Sequence, residues 1–143
     1  MIYEDVEPLR ATYRPEKIKV LFIGESAPAG GASFYKEFGQ VHDQFRRALV
    51  PHIGESPSFV KAFEQAGFYL DDLVLKPINR LSQSERQTLH ASSIAPLAER
   101  LRDYEAPWVI AFMKGIALPV RAAIAQSGIS SQFEAVPFPG NGR

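Results

Sequence analysis

Four short apolar runs, separated by stretches of helical periodicity, organise this chain. The first, Lys17-Ile18-Lys19-Val20-Leu21-Phe22-Ile23-Gly24, is continuous rather than alternating and ends in glycine. A strand buried on both faces has that signature, as in a parallel sheet. The second run, Leu73-Val74-Leu75, lies within a segment from Tyr69 to Lys76 that Pro77 stops. The third is Trp108-Val109-Ile110-Ala111-Phe112-Met113, with Trp108 expected in the core, and a weaker fourth spans Phe133 to Phe138. Strands are expected near residues 18–24, 71–76, 108–113 and 134–138.

Helical patterns fill the intervals. Residues 41–50 set Val41, Phe45, Ala48 and Leu49 against Arg46 and Arg47, and Pro51 is expected to break that helix. Ser56 as N-cap and Pro57 at the first position predict a second helix, with Phe59, Val60 and Phe63 on its apolar face and Gly67 at its end. Ser82-Gln83-Ser84-Glu85 matches a capping box and predicts a short helix. A separate one is expected from about Ser93 to Tyr104, and another from Gly115 to Ser127 with Gly128 ending it. Residues 1–16, with Pro8, Pro15 and mixed charge, read as an irregular N-terminal arm ahead of a single domain over residues 17–143. The alternation of strand and helix predicts an α/β fold with a parallel sheet and helices on both faces. The chain stops directly after the fourth strand, where a covering helix normally follows. The expectation is either a missing C-terminal helix or a bare sheet edge.

Composition narrows the function classes. The 143 residues carry 16 Lys plus Arg and 16 Asp plus Glu, which excludes a strongly basic nucleic-acid coat protein or an acidic tail protein but leaves room for a local basic rim. The absence of cysteine excludes disulfides, thiol catalysis, Cys-ligated zinc and an iron–sulfur cluster. The acidic start, Met1 to Glu7, is no signal peptide, and no apolar run approaches the length of a membrane span. A cytoplasmic protein without membrane association is the default reading, and no cofactor is expected.

In open parallel sheets, ligands bind beyond the carboxyl ends of the strands. Four segments fall there: Gly24 to Gly31, Lys76 to Arg80, Lys114-Gly115, and Pro137 to Arg143. The first matches neither a phosphate-binding P-loop nor a dinucleotide fingerprint, but its small residues let a ligand approach the backbone. Glu25, immediately after the first strand, is placed to orient or deprotonate a water; the plainer reading is a solvated turn residue. Lys76, Arg80, Lys114 and Arg143, with Lys36, each follow a strand end, an arrangement that suits phosphates if they converge. Phe34, Tyr35 and Phe38 follow the glycine loop and either stack a base or close the core. His42, His52 and His90 lie in predicted helices or a connector without a carboxylate at ligand spacing, so neither a metal site nor a Ser-His-Asp triad is supported.

Taken together, these segments resemble the uracil-DNA glycosylase superfamily. Val20 to Pro28 resembles its first strand and water-activating loop. Tyr69 to Arg80 resembles its second strand and the turn that follows, here Pro77-Ile78-Asn79-Arg80. Trp108 to Lys114 resembles its third strand, and Val136-Pro137-Phe138-Pro139-Gly140 falls where the family has its His-Pro-Ser motif. The resemblance covers most of residues 17–143. It implies a three-layer α/β/α sandwich around a four-stranded parallel sheet, in the order 2-1-3-4 that the right-handed crossover rule also favours. It further implies a pocket for an extruded base, with nucleic acid or a nucleoside as partner. Glu25 would activate water, Gly24 and Ala27 would supply backbone contacts, and Phe34 or Phe38 would stack on the base. The residue that reads the base aligns with Asp72, or less well with Asp71. An amide there offers a donor and an acceptor, whereas an ionised Asp only accepts and suits an amino group; alternatively Asp72 is structural. The histidine of the last motif, which stabilises the leaving base, has no counterpart, Phe138 being nearest. That loss weakens glycosylase chemistry and keeps open a non-catalytic nucleobase-binding module of the same fold.

Overall fold

A computed structural model describes residues 6–27, 34–78 and 80–137, without the side chain of Lys114. Its elements are α1 (Val6–Thr12), β1 (Val20–Gly24), α2 (Gln40–Ile53), α3 (Phe59–Gln65), β2 (Phe68–Asp72), α4 (Gln83–Tyr104), β3 (Trp108–Ala111), α5 (Ala117–Ser127) and β4 (Gln132–Ala135). Short 3₁₀ turns at Phe34–Lys36 and Lys114–Ile116 precede α2 and α5. The strands form one parallel sheet in the order β2-β1-β3-β4. The α/β class, the parallel sheet and the strand order agree with the reading of the sequence.

Strand alternation sorts the layers. In β1 and β2, Val20 pairs with Phe68, Phe22 with Leu70 and Gly24 with Asp72, so these residues share one face. Phe22 packs there against Phe45 of α2 and Phe63 of α3, at ring separations of 5.2 and 5.8 Å. Tyr69 and Asp71 face the other way, toward Tyr104 of α4, whose ring lies 5.5 Å from that of Tyr69. With α5 packed on α4, the helices flank the sheet on both faces, as a three-layer sandwich requires.

The differences from the expected elements have local causes. β2 runs from Phe68 to Asp72, three residues before the expected strand, because Asp71 and Asp72 are buried strand residues. A pattern argument excludes two adjacent acids from a core strand; here arginines from outside the strand compensate them. Residues 6–12 form a helix whose Arg10 is buried, where an irregular arm was expected. Pro51 sits inside the last turn of α2 rather than ending it. Ser58, not Ser56, caps α3: its hydroxyl accepts from the Lys61 N–H at 3.3 Å and donates to Glu37 at 2.9 Å. The Ser82–Glu85 capping box is present, but it opens one 22-residue helix that continues through Pro96 instead of two short ones. Trp108 is 40% exposed at the amino-terminal rim of the sheet, where its register partners are Val20 and Gln132.

The β2 edge carries its own cover. The outward backbone of Leu70 is satisfied by side chains: its N–H donates to the Tyr35 hydroxyl at 2.7 Å, and its carbonyl accepts from Arg10 at 2.8 Å. α1 and the 3₁₀ turn at Phe34–Lys36 thus take the place of a further strand.

Candidate functional site

The register places Gly24 beside Asp72 at the carboxyl end of the sheet. Beyond them lies a cavity of about 160 Å³. Val6 and Arg10 of α1, Gly24 to Ala27 after β1, Phe34, Tyr35 and Phe38, Leu70 and Asp72 of β2, and Phe112 and Met113 after β3 contribute to its wall. An apolar cavity of about 150 Å³ holds a benzene-sized ring, so this one matches a single aromatic ring. Gly24 creates part of that space. A Cβ at this position would lie 2.5 Å from the Phe112 ring and 2.8 Å from Asp72 Oδ1. Phe34 is both wall and core: its ring packs edge-on to Tyr35, Phe45 and Phe63 at 4.9, 5.6 and 4.9 Å. Phe38 is half exposed and lines the same cavity.

Asp71 and Asp72 part company because a strand alternates its faces. Asp72 lies on the cavity side, its Oδ2 accepting from Arg10 at 3.0 Å. Asp71 lies on the α4 side, where its Oδ2 accepts from Arg100 Nε at 2.9 Å and from the Tyr104 hydroxyl at 2.7 Å. Arg10 also reaches both oxygens of Glu7. Burial favours the neutral form of each acid, yet the outcomes differ. Burial pushes the Asp72 carboxyl up to about 6, opposed by Arg10 and reinforced by the charge of Asp71. For Asp71, the guanidinium groups of Arg10 and Arg100 and the Tyr104 hydroxyl outweigh burial and hold it below the ordinary carboxylate value. Burial alone would lower Arg10, but Asp72, Asp71 and Glu7 overcome it and keep the guanidinium charged.

Glu25 follows β1 directly, and its carbonyl accepts from the Val74 N–H at 2.9 Å, which fixes its backbone to the segment after β2. Its side chain is held from α4. Oε2 lies 2.8 Å from His90 Nε2, and Oε1 lies 3.8 Å from Arg86 Nη1. Arg86 and His90 are four residues apart on one face of α4. This carboxylate–imidazole pair is absent from the sequence reading, which gives no histidine a carboxylate partner. The partner lies 65 residues away, beyond any spacing motif. The two-helix reading of residues 82–104 also left His90 near a connector, whereas the continuous α4 aligns it with Arg86. His42 Nδ1 likewise lies 3.0 Å from Asp43 Oδ1.

Glu25, Gly24, Ala27, Phe34, Phe38 and Asp72 all contribute to the one cavity. Of the expected basic rim, Lys76 and Arg80 are exposed and take no part in the cavity wall. The Lys114 side chain, the end of the glycine loop at 28–33, Asn79 and the segment 138–143 with Arg143 lie outside the described residues. Among the described residues, no group of three or more His, Asp and Glu clusters as a metal site, and no helix is long and apolar enough to cross a membrane. No protein-family model matches the chain, and no curated protein matches it.

Proposed function

We propose that this chain is a uracil-DNA glycosylase-like protein that accepts a nucleobase in the cavity and hydrolyses its N-glycosidic bond. The observation that carries this reading is the shared cavity of Glu25 and Asp72: two acidic residues from adjacent strand ends line a space sized for one aromatic ring. Glu25 is the group for water, oriented from α4 and bordering the space where a sugar would follow the base. Asp72 is the group for the base edge, with Phe34 and Phe112 as apolar walls and Gly24 leaving the approach open. An ionised Asp72 selects a ring that donates, such as one bearing an amino group; in the protonated form it donates and accepts, as an amide does.

The second reading, a nucleobase-binding module without turnover, draws on a specific observation. Among the described residues, Arg10 and Arg86, the arginines paired with the two carboxylates, are both engaged by them, so neither is left to stabilise a departing anionic base. An abasic-site assay separates the two. Oligonucleotides carrying uracil, hypoxanthine, xanthine or mismatched bases are incubated with the protein and then treated with alkali. Strand breaks at any of these bases establish the glycosylase. Their absence, together with saturable binding of free bases, leaves the binding module.

A further inference from the structure

The Glu25 side chain is anchored more elaborately than a solvated turn residue requires. Its carboxylate is only 17% exposed, and both contacts come from one helix face, His90 and Arg86. Oε2 is the bonded oxygen. Oε1 has no hydrogen bond among the described residues, and its nearest cation, Arg86 Nη1, is 3.8 Å away. Arg86 holds this place although its own Nε is buried without a partner among the described residues. An unsatisfied buried donor is costly. Its position therefore serves the charge of Glu25 rather than its own hydrogen bonding. A carboxylate accepts only, so His90 presents Nε2–H to it. The rest of the imidazole borders an open groove between α4 and α5, lined by Ile94, Leu118 and Pro119 among others.

We propose that His90 is a positioning residue: it clamps Glu25 Oε2 from α4 and so leaves Oε1 as the oxygen that meets the attacking water, with Arg86 as counter-charge. This rests on the reading of Glu25 as the water-activating group. The clamp decides which lone pair points at the water. The same α4 that carries Arg86 and His90 carries Arg100, whose Nη2 donates to the Asp72 carbonyl at 2.7 Å. One helix thereby sets the positions of both carboxylate-bearing strand ends.

Two measurements on the full chain test it. The first is the ¹⁵N spectrum of the imidazoles, which needs no turnover. His90 is expected as the Nε2–H tautomer in the wild type, with that preference lost in Glu25→Ala. A His90 that is Nδ1–H, or that ignores the Glu25 substitution, overturns the clamp. The second is kinetic, on the base that the abasic-site assay identifies. His90→Leu is expected to lower kcat by about 10²-fold, the scale of a misplaced reacting group, with KM nearly unchanged. His90→Gln, whose amide N–H stands where Nε2–H stood, is expected to restore most of that loss. A His90→Gln protein as slow as a folded His90→Leu protein overturns the positioning role. A wild type inert on every base, with His90 fixed as Nε2–H, sinks the glycosylase reading and leaves the clamp standing.

Discussion

Asp71 and Asp72 are neighbours in sequence and opposites in chemistry, and the difference shows as a pH dependence. Asp72 titrates at about 6 in the folded chain against an ordinary value of 3.8. Its contribution to stability is therefore full below the ordinary value and is lost as pH rises through about 6. Asp71 is lowered, so its contribution is present above the ordinary value and is lost as pH falls. Asp72→Asn removes the first dependence alone. The stability of the variant relative to wild type is expected to rise between pH 4 and 6, and urea midpoints across that range measure it. A difference that stays flat would place the titration elsewhere. The same variant restores a donor to the cavity wall and is expected to move base preference toward a ring carbonyl. Glu25→Gln keeps size and hydrogen bonding but cannot take a proton. If the glycosylase reading is right, turnover falls by a factor on the order of 10²–10⁴, while base affinity, measured by titration, changes little. Wild-type turnover in a folded Glu25→Gln protein would mean that water is activated by another group.

At the scale of elements, α1 and α4 do more than the sequence pattern suggests. Leu70 in β2 depends on two side chains for its outward backbone groups. Tyr35→Phe takes away the hydroxyl and leaves a buried N–H unpaired. A loss of about 1–3 kcal/mol is expected, read from guanidinium unfolding; a neutral result would mean that the N–H finds water. α4 carries Pro96 in its middle on an exposed position. Proline lacks the N–H that the Ser92 carbonyl needs and costs up to about 3 kcal/mol in a helix interior. Pro96→Ala is expected to stabilise the chain by about 1–3 kcal/mol, seen as a higher melting temperature; a lower one would mean that the proline ring itself contributes to packing. These two helices also mark how far the sequence could be read. The apolar runs of β1 and β3 and the capping box at Ser82 are local signals, and they marked the sheet and the start of α4, whereas the strand order came from the right-handed crossover rule and the family resemblance. The seven-residue α1 has only a short apolar pattern, and its stability comes from Arg10 entering a buried acid pair, a long-range event that periodicity cannot register. For the site, Glu25 was legible because strand ends are predictable places, whereas Asp72 was reached through the family resemblance, the pattern having set the second strand at residues 71–76 and its end at Lys76. His90 and Arg86 were not, because Glu25 lies 65 residues from His90 and the pattern set two helices where the fold has one.

The whole molecule is asymmetric about its sheet. β1 and β3 are central, each paired on both sides. β2 is an edge strand, yet Tyr35 and Arg10 seal its outer backbone and α1 lies beside it. β4 is the opposite edge, and its residues alternate between exposed and half-buried with none fully buried. Its Phe133 ring, only partly buried against the core, is covered on one side by the Arg121 guanidinium, 5.0 Å from the centroid. Local opening should follow that division, since free energies of opening track buried apolar contact and enclosed hydrogen bonds. The amides of Gln132 and Val136, which bond to the Pro107 and Ala111 carbonyls at 2.8 Å, are expected to exchange through detachment of β4 alone. The amide of Leu70, bonded to a buried tyrosine, is expected to exchange only when the sheet as a whole unfolds. Native-state hydrogen exchange resolves the two classes: protection at Leu70 should exceed that at Gln132 and Val136 by a factor on the order of 10² and should follow added urea with the slope of global unfolding. Equal protection on both edges would show that β4 is held as firmly as β2. In the expected case, the cavity between α1, β1 and β2 sits on the rigid side of the molecule, where two carboxylates can keep a fixed geometry while the far edge of the sheet opens and closes.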